Sequence, residues 1–438
     1  MKNKIKERIY DFFINSSDFN GIPLRNISEE FEIDYKHSID LIKELVEEEI
    51  VSIQSSTNPH IILNRHYPIE NQLQVLEDAK KNELLELEKV GDIRIVCENT
   101  EFPICLYPSP KHLEENRDLS AFENEIYTKQ LALAEAQLKP VFFEIEVLER
   151  YSNDPRFEFD FEDYSGSISC KYDENYNPIV REEDQIFIQT FGLGFDKESN
   201  RVAVVYLRYL KDLTKEHQTF WKSKEVKESC KMLEEYHENT IQGNWTNSYS
   251  VFTGFLGELS CLNDLANEIF GKQLFRENFN EEKRPKEFTF FFIPTLKNYN
   301  EFVLLLDKMI SDNINKDFFK DKIELCDIKQ IEDGVVERIS KGTLRLFEEW
   351  LLIHYKTANQ EVIQSILKPF REIRKQRQNP AHRIDENIYD KKYIEKQREV
   401  IRDAFSSMRA LREIFQQHPK ANNFEIPDWL ETGEMKVF

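Results

Sequence analysis

Positive charge is in short supply in this chain. Its 438 residues carry 59 Lys and Arg against 81 Asp and Glu, a net charge of −22. Such an excess of carboxylates repels polyanions and anionic lipid, so any nucleic-acid site has to be local. Cysteine is sparse as well: Cys97, Cys105, Cys170, Cys230, Cys261 and Cys326 are scattered, and no two form a CxxC pair. That spacing argues against a zinc site of the usual kind, and against a disulfide framework. Only 12 Gly and 15 Pro are present, too few for collagen-like or turn-rich repeats. No apolar run approaches the length of a membrane span, and the start, MKNKIKERIYDFF, lacks a signal-peptide core. A cytoplasmic chain with reduced thiols and no membrane partner is the expectation. No cofactor motif stands out. Gly192-Leu-Gly194 has neither a third glycine nor a P-loop Lys-Ser, and reads as a turn.

What is present is apolar side chain. The sequence is 40% hydrophobic with 33 Phe, ample for several cores and incompatible with global disorder. Periodicity predicts an α+β multidomain chain in four parts. Residues 1–66 read as three helices, around Ile5–Phe13, Ile27–Phe31 and Tyr35–Val46, and a hairpin of Ile50–Ile53 with His60–Leu63. Asp34 and Ser28 offer N-caps. Three helices and a hairpin resemble a winged helix-turn-helix, in which Lys36 and His37 would head the DNA-reading helix and Arg65 would follow the wing. That helix ends in Glu47-Glu48-Glu49, and winged helices also serve as protein-interaction modules.

Residues 67–138 read as a helical connecting region, with helices at 69–90 and 119–138. Residues 139–294 read as a mixed α+β domain. Alternation predicts strands at 141–148, 157–163, 167–170 and 184–190, an apolar strand or helix at 201–210, and a central strand at 288–294. Helices are expected at 222–239 and 249–269. Glu158, Asp160, Glu162 and Asp163 form an acidic cluster, better read as a solvated sheet face than as a metal site. His217, Gln218, Trp221, Lys222 and Lys224 gather polar groups beside an aromatic ring, in the manner of either a ligand pocket or a buried Trp with solvated lysines.

Residues 295–438 read as a helical bundle with a packed tail, with helices at 299–314 and 343–355 and two long ones within 362–418, written by Ile363–Ile373 and by Tyr393–Phe415. Between the long pair lies Arg377-Gln378-Asn379-Pro380-Ala381-His382. From Glu361 to Lys420 there are 14 Lys and Arg against 9 Asp and Glu, a local +5 that leaves −27 for the rest. Imidazole can exchange a proton near neutral pH, and guanidinium can grip a phosphate with two hydrogen bonds. RNA carries its own 2′-hydroxyl nucleophile, so this pair would suffice for scission without metal.

A long helix, an Arg followed by a polar residue, a His four to six residues on and a long closing helix together resemble the HEPN superfamily. The resemblance covers about residues 295–418, and the chain as a whole resembles a widespread bacterial family. It implies a C-terminal HEPN-like bundle, catalysis by Arg377 and His382, and a homodimer formed through this domain. It also implies a metal-independent endoribonuclease of bacterial defence or toxin character, with antiviral defence as its setting. Pro380 departs from the family's continuing helix. Gln378, Asn379, Lys375 and Arg383 are the expected substrate contacts, and Tyr389 a base-stacking ring. RNA is therefore the expected partner and DNA a second possibility through the N-terminal part. The alternatives are a winged-helix regulator dimerised by a non-catalytic HEPN-like domain, or a protein-interaction scaffold.

Overall fold

The N-terminal helix α1 (Lys2–Asn15) buries Ile5, Ile9 and Phe13, the inward stripe of a 3.6-residue period. In this computed structural model the described residues are 1–81, 88–90, 93–95, 104–279, 283–332, 335–355, 360–378 and 386–437. They form two compact units. The first comprises Met1–Glu144, Arg156–Glu158 and Ser167–Met232, and the second Ile145–Pro155, Phe159–Gly166 and Leu233–Phe438.

In the first unit α1 is followed by β1 (Ile22–Pro23), α2 (Leu24–Glu30), α3 (Tyr35–Glu47) and β2 (Val51–Ser55). Asp34 caps α3 by accepting from the backbone N–H groups of Lys36 and His37, at 3.0 and 3.2 Å. Ser28 does not cap; it lies within α2 and its hydroxyl donates to the Ile33 carbonyl at 2.7 Å. Helix α4 (Ile69–Lys81) buries Leu76 and Ala79 in the same core as α3. Where the helix was expected to run on to residue 90, Glu88–Val90 is a strand, β3, paired with β4 (Ile93–Ile95). Residues 82–87, on which the rest of that expected helix falls, lie outside the described residues.

The sheet of this region runs β1-β5-β2, all antiparallel, with β5 (Ile104–Pro108) in the middle. The expected strand at His60–Leu63 is absent. Ile62 and Leu63 only offer their carbonyls to the N–H groups of Gln137 and Leu138, at 2.7 and 2.8 Å. The continuous apolar run of β5 takes the sheet position, buried along its whole length, with Ile104 and Leu106 in the same core as Ile53 and Ile22. After the short helix α5 (Pro110–Asn116), the continuous helix expected at 119–138 is replaced by a 3-10 turn at Ser120–Phe122 and the short helix α6 (Ile126–Ala132).

The larger sheet follows. It uses β6 (Pro140–Glu144), and then the chain passes through α7 (Glu149–Ser152), which belongs to the second unit. Next come β7 (Phe157–Glu162), divided between the units, β8 (Ser165–Cys170), β9 (Phe187–Phe195) and β10 (Arg201–Tyr206). In the first unit the order is β6-β10-β9-β8, and the edge piece β11 (Lys231–Met232) pairs with β9. Between β10 and β11 lie α8 (Leu207–Leu210) and α9 (Lys215–Ser223). The helix expected at 222–239 is thus broken, since residues 224–232 turn back to reach β9. Gly192 and Gly194 are strand residues, not a turn. A Cβ on Gly194 would sit 2.6 Å from the Lys231 carbonyl oxygen, so the glycine permits β11 to approach.

The second unit is mainly helical: α10 (Glu234–His237), α11 (Val251–Phe270), α12 (Leu296–Asp307), α13 (Thr343–His354), α14 (Gln360–Gln378), α15 (Lys392–Gln416) and α16 (Asp428–Thr432). Strand β12 (Ser248–Ser250) precedes α11, β13 (Cys326–Glu332) and β14 (Val335–Ser340) form a hairpin, and β15 (Glu434–Lys436) runs parallel to β12. Trp350 centres one core, with Phe270, Phe318 and Phe415 rings at 5.2, 5.0 and 5.6 Å. The run Phe288–Pro294, expected as a strand, is buried but irregular. Gln397 on α15 supplies what a neighbouring strand would: its Oε1 accepts from Phe291 N–H at 3.2 Å and its Nε2 donates to the Thr289 carbonyl at 2.9 Å.

Candidate functional site

Arg377 lies in the last turn of α14, where cations complement the helix's negative end. Its Nη1 donates to Asp307 Oδ2 and Asp312 Oδ2, both at 2.6 Å. One turn earlier, Arg374 Nη1 reaches Asp312 Oδ1 at 3.1 Å and Asp307 Oδ2 at 3.4 Å. The two arginines share a face because they are three residues apart on a helix. The two aspartates are five apart, which would splay them on an α-helix. They converge because α12 widens at its end into a π turn, Lys308–Asp312, whose bonds link residues five apart.

The two carboxylates differ in setting. The Asp307 side chain is fully buried, and its Oδ1 has no hydrogen-bond partner among the described residues. The Asp312 side chain is 41% exposed. Burial works against its charged form, but the hydrogen bonds and charges of Arg377 and Arg374 outweigh it and hold the carboxyl below the usual range. Hydrogen bonding to Asp307 and then Asp312 raises the Arg377 pKa further, so that guanidinium stays charged. Beside it, Tyr299 donates to Gln376 Oε1 at 2.6 Å, and burial pushes this phenol up to about 12.

His382, Asn379 and Arg383 lie outside the described residues. Gln378 and Lys375 are exposed on the last turn of α14. Residues 388–390 are fastened to the start of α12. Leu296 N–H donates to the Ile388 carbonyl at 2.8 Å, and Asp390 N–H to the Pro294 carbonyl at 3.0 Å. Tyr389 is 55% exposed there. Its backbone is therefore fixed at one end of α12, while Arg377 is held at the other, roughly 18 Å along a twelve-residue helix.

Asp307, Asp312 and Arg374 were not legible as site residues. Their only signal was the i, i+3 repeat of Arg374 and Arg377, which a solvated helix face would also produce.

The other candidates resolve into packing. Glu158 and Asp160 face outward from β7, while Phe157, Phe159 and Phe161 face inward. No metal-ligating cluster occurs among the described residues. Asp163 accepts from Ser250 N–H at 2.9 Å and Thr253 Oγ1 at 2.5 Å, at the start of α11. Gln218 is buried and fully engaged, accepting from Tyr127 N–H and donating to Thr128 and Leu213, while Trp221 packs edge-on against Phe143. Lys222 and Lys224 pair with Glu225 and Glu144.

At the N-terminus Lys36, His37 and Arg65 are all exposed. Yet α4 lies against α3, pairing Glu77 with Lys43 and Lys80 with Asp40. Among the described residues no helix is long and apolar enough to cross a membrane. The chain matches no family model, no curated protein and no solved structure.

Proposed function

We propose that this protein is a metal-independent endoribonuclease of HEPN type that cleaves RNA by attack of the 2′-hydroxyl on the adjacent phosphate. The observation that supports this most is the setting of Arg377. It is a permanently charged side chain, part exposed, oriented by a buried carboxylate, and it ends one long helix just before His382 while a second long helix follows. In this reading Arg377 neutralises charge on the phosphorane-like transition state, and His382 moves the proton. Asp312, the solvent-facing carboxylate, yields its place to the substrate phosphate, and Asp307 stays as the anchor. Lys375 and Gln378 extend the contact along the backbone, with Asn379 and Arg383 beyond them. A homodimer through the C-terminal domain belongs to the same reading. The exposed Ile328, Ile331, Val336 and Ile339 of the β13–β14 hairpin suit such a pairing, because a lone two-stranded hairpin with bare apolar side chains gains by being covered.

The test is cleavage of total RNA and transfer RNA in EDTA, with wild type beside His382→Ala and Arg377→Ala. Wild-type fragments ending in 2′,3′-cyclic phosphate, absent in both variants, are expected. Cleavage that survives His382→Ala would overturn the assignment.

The N-terminal order α1-β1-α2-α3-β2, closed by β5, is also that of a winged helix with a long insertion in place of a short wing. The seat of α4 on α3, with Asp40 already paired, favours protein interaction over duplex reading by that module.

A further inference from the structure

We propose that a cavity in the second unit, between α11 and the C-terminal segment, binds a small organic cation of alkylammonium or guanidinium type. The cavity encloses about 420 Å³, within the range of small-molecule sites. Leu256 and Gly257 of α11 form its floor, and Phe279, Phe424 and Trp429 form its walls. Trp429 stands close over the helix because residue 257 has no side chain: a Cβ there would meet the indole at 2.6 Å. The ring is further set by Tyr249, 4.8 Å away between centroids, and α16 is tied down where Arg409 Nη2 donates to the Leu430 carbonyl at 2.5 Å.

Two carboxylates, Asp264 and Glu425, line the same cavity and are solvent-accessible. Neither pairs with a cation among the described residues. Asp264 accepts one hydrogen bond, from Asn278 at 3.3 Å. The one cation in the lining, Arg284, already donates three times within the fold. Its Nη1 goes to Thr253 at 3.1 Å, and Nε and Nη2 go to the Phe288 carbonyl at 3.2 and 3.1 Å. The site is thus net negative and lined by three aromatic rings, whose quadrupoles can attract a cation while the carboxylates supply long-range pull. An anion would meet two carboxylates for one committed arginine. A neutral ring would gain the walls and nothing from the acids.

The assay is tryptophan fluorescence of the full chain, without RNA, titrated with spermidine, tetramethylammonium and arginine methyl ester. Sodium chloride at matched ionic strength and neutral benzyl alcohol are the controls. Trp221 and Trp350 are fully buried and Trp245 is solvated, so Trp429→Phe identifies the reporting ring. A saturable change in wild type is expected for at least one cation, absent in Trp429→Phe and about tenfold weaker in affinity in Asp264→Asn/Glu425→Gln. Titration calorimetry on wild type gives the same affinity without relying on the variants' folding. No saturable cation response, an equal response to benzyl alcohol, or an unchanged affinity in the double variant would overturn the proposal.

Discussion

At the scale of single residues, Arg377 is shared between a buried carboxylate, Asp307, and a part-exposed one, Asp312. Asp312→Asn removes the exposed partner and leaves Arg377 held by Asp307, so under the ribonuclease reading RNA binding should tighten several-fold, read by fluorescence anisotropy at fixed salt. Asp307→Asn loosens the arginine from below. Under the ribonuclease reading its turnover number should fall while KM changes less, since the guanidinium acts mainly in the transition state. The pH dependence has a definite sign. The Asp312 carboxyl is held below its unfolded value, so its stabilising contribution is complete above the ordinary aspartate pKa of about 3.9. It is lost as pH falls through the lower folded value. Acid unfolding of Asp312→Asn should therefore be less steep than that of wild type in that window.

At the scale of elements, α11 and α15 are joined by a buried ion pair. Glu258, wholly buried, accepts from Arg412 Nε at 2.8 Å and Nη2 at 3.2 Å, and from Arg409 Nε at 2.7 Å. Burial works to lower the Arg412 pKa, but the Glu258 contacts prevail and raise it. Removing one partner strands a charge in the interior, so Glu258→Ala should cost about 3–5 kcal/mol, measured as the shift of the chemical-denaturation midpoint. A second element-scale test concerns α4. Lys36→Ala with Arg65→Ala should leave duplex DNA binding at the level of wild type, because α4 occupies part of the α3 face. Leu76→Ala, which empties a fully buried site, should destabilise by about 2–5 kcal/mol on its own.

At the scale of the whole molecule, a net charge of −22 opposes any polyanion everywhere except along the basic segment 361–420. Under the ribonuclease reading, RNA binding should therefore weaken with added salt on a shallow slope, reflecting few phosphates neutralised, and the slope should flatten further in Lys375→Ala. At this scale the α+β character, the helical C-terminal region and most long helices were legible in the sequence. Strong 3.6-residue periods in Tyr35–Val46, 249–269, 343–355 and the two long C-terminal helices reappear as α3, α11, α13, α14 and α15, and alternating Phe and acid residues reappear as β7. Less legible was anything that depended on a distant partner. Ile104–Pro108 took the sheet place expected of His60–Leu63, and Phe288–Pro294 stayed irregular because a glutamine side chain met its backbone. The candidate site divides in the same way. Arg377 was singled out by its place near the break between two helices, and it lies in the last turn of the first rather than between them. Asp307, Asp312 and the π turn that aligns them carry no local pattern.

What the sequence determined by itself is therefore periodic and local: which stretches coil, which alternate, where Asp34 caps, and where the one basic island lies. These follow from backbone geometry and side-chain polarity within a few residues. Tertiary structure alone decided which strand completes each sheet, which carboxylates hold Arg377, why Gly194 and Gly257 must lack a side chain, and where Trp429 stands over a cavity. Each of those rests on contacts between residues far apart in the chain, and only packing brings them together.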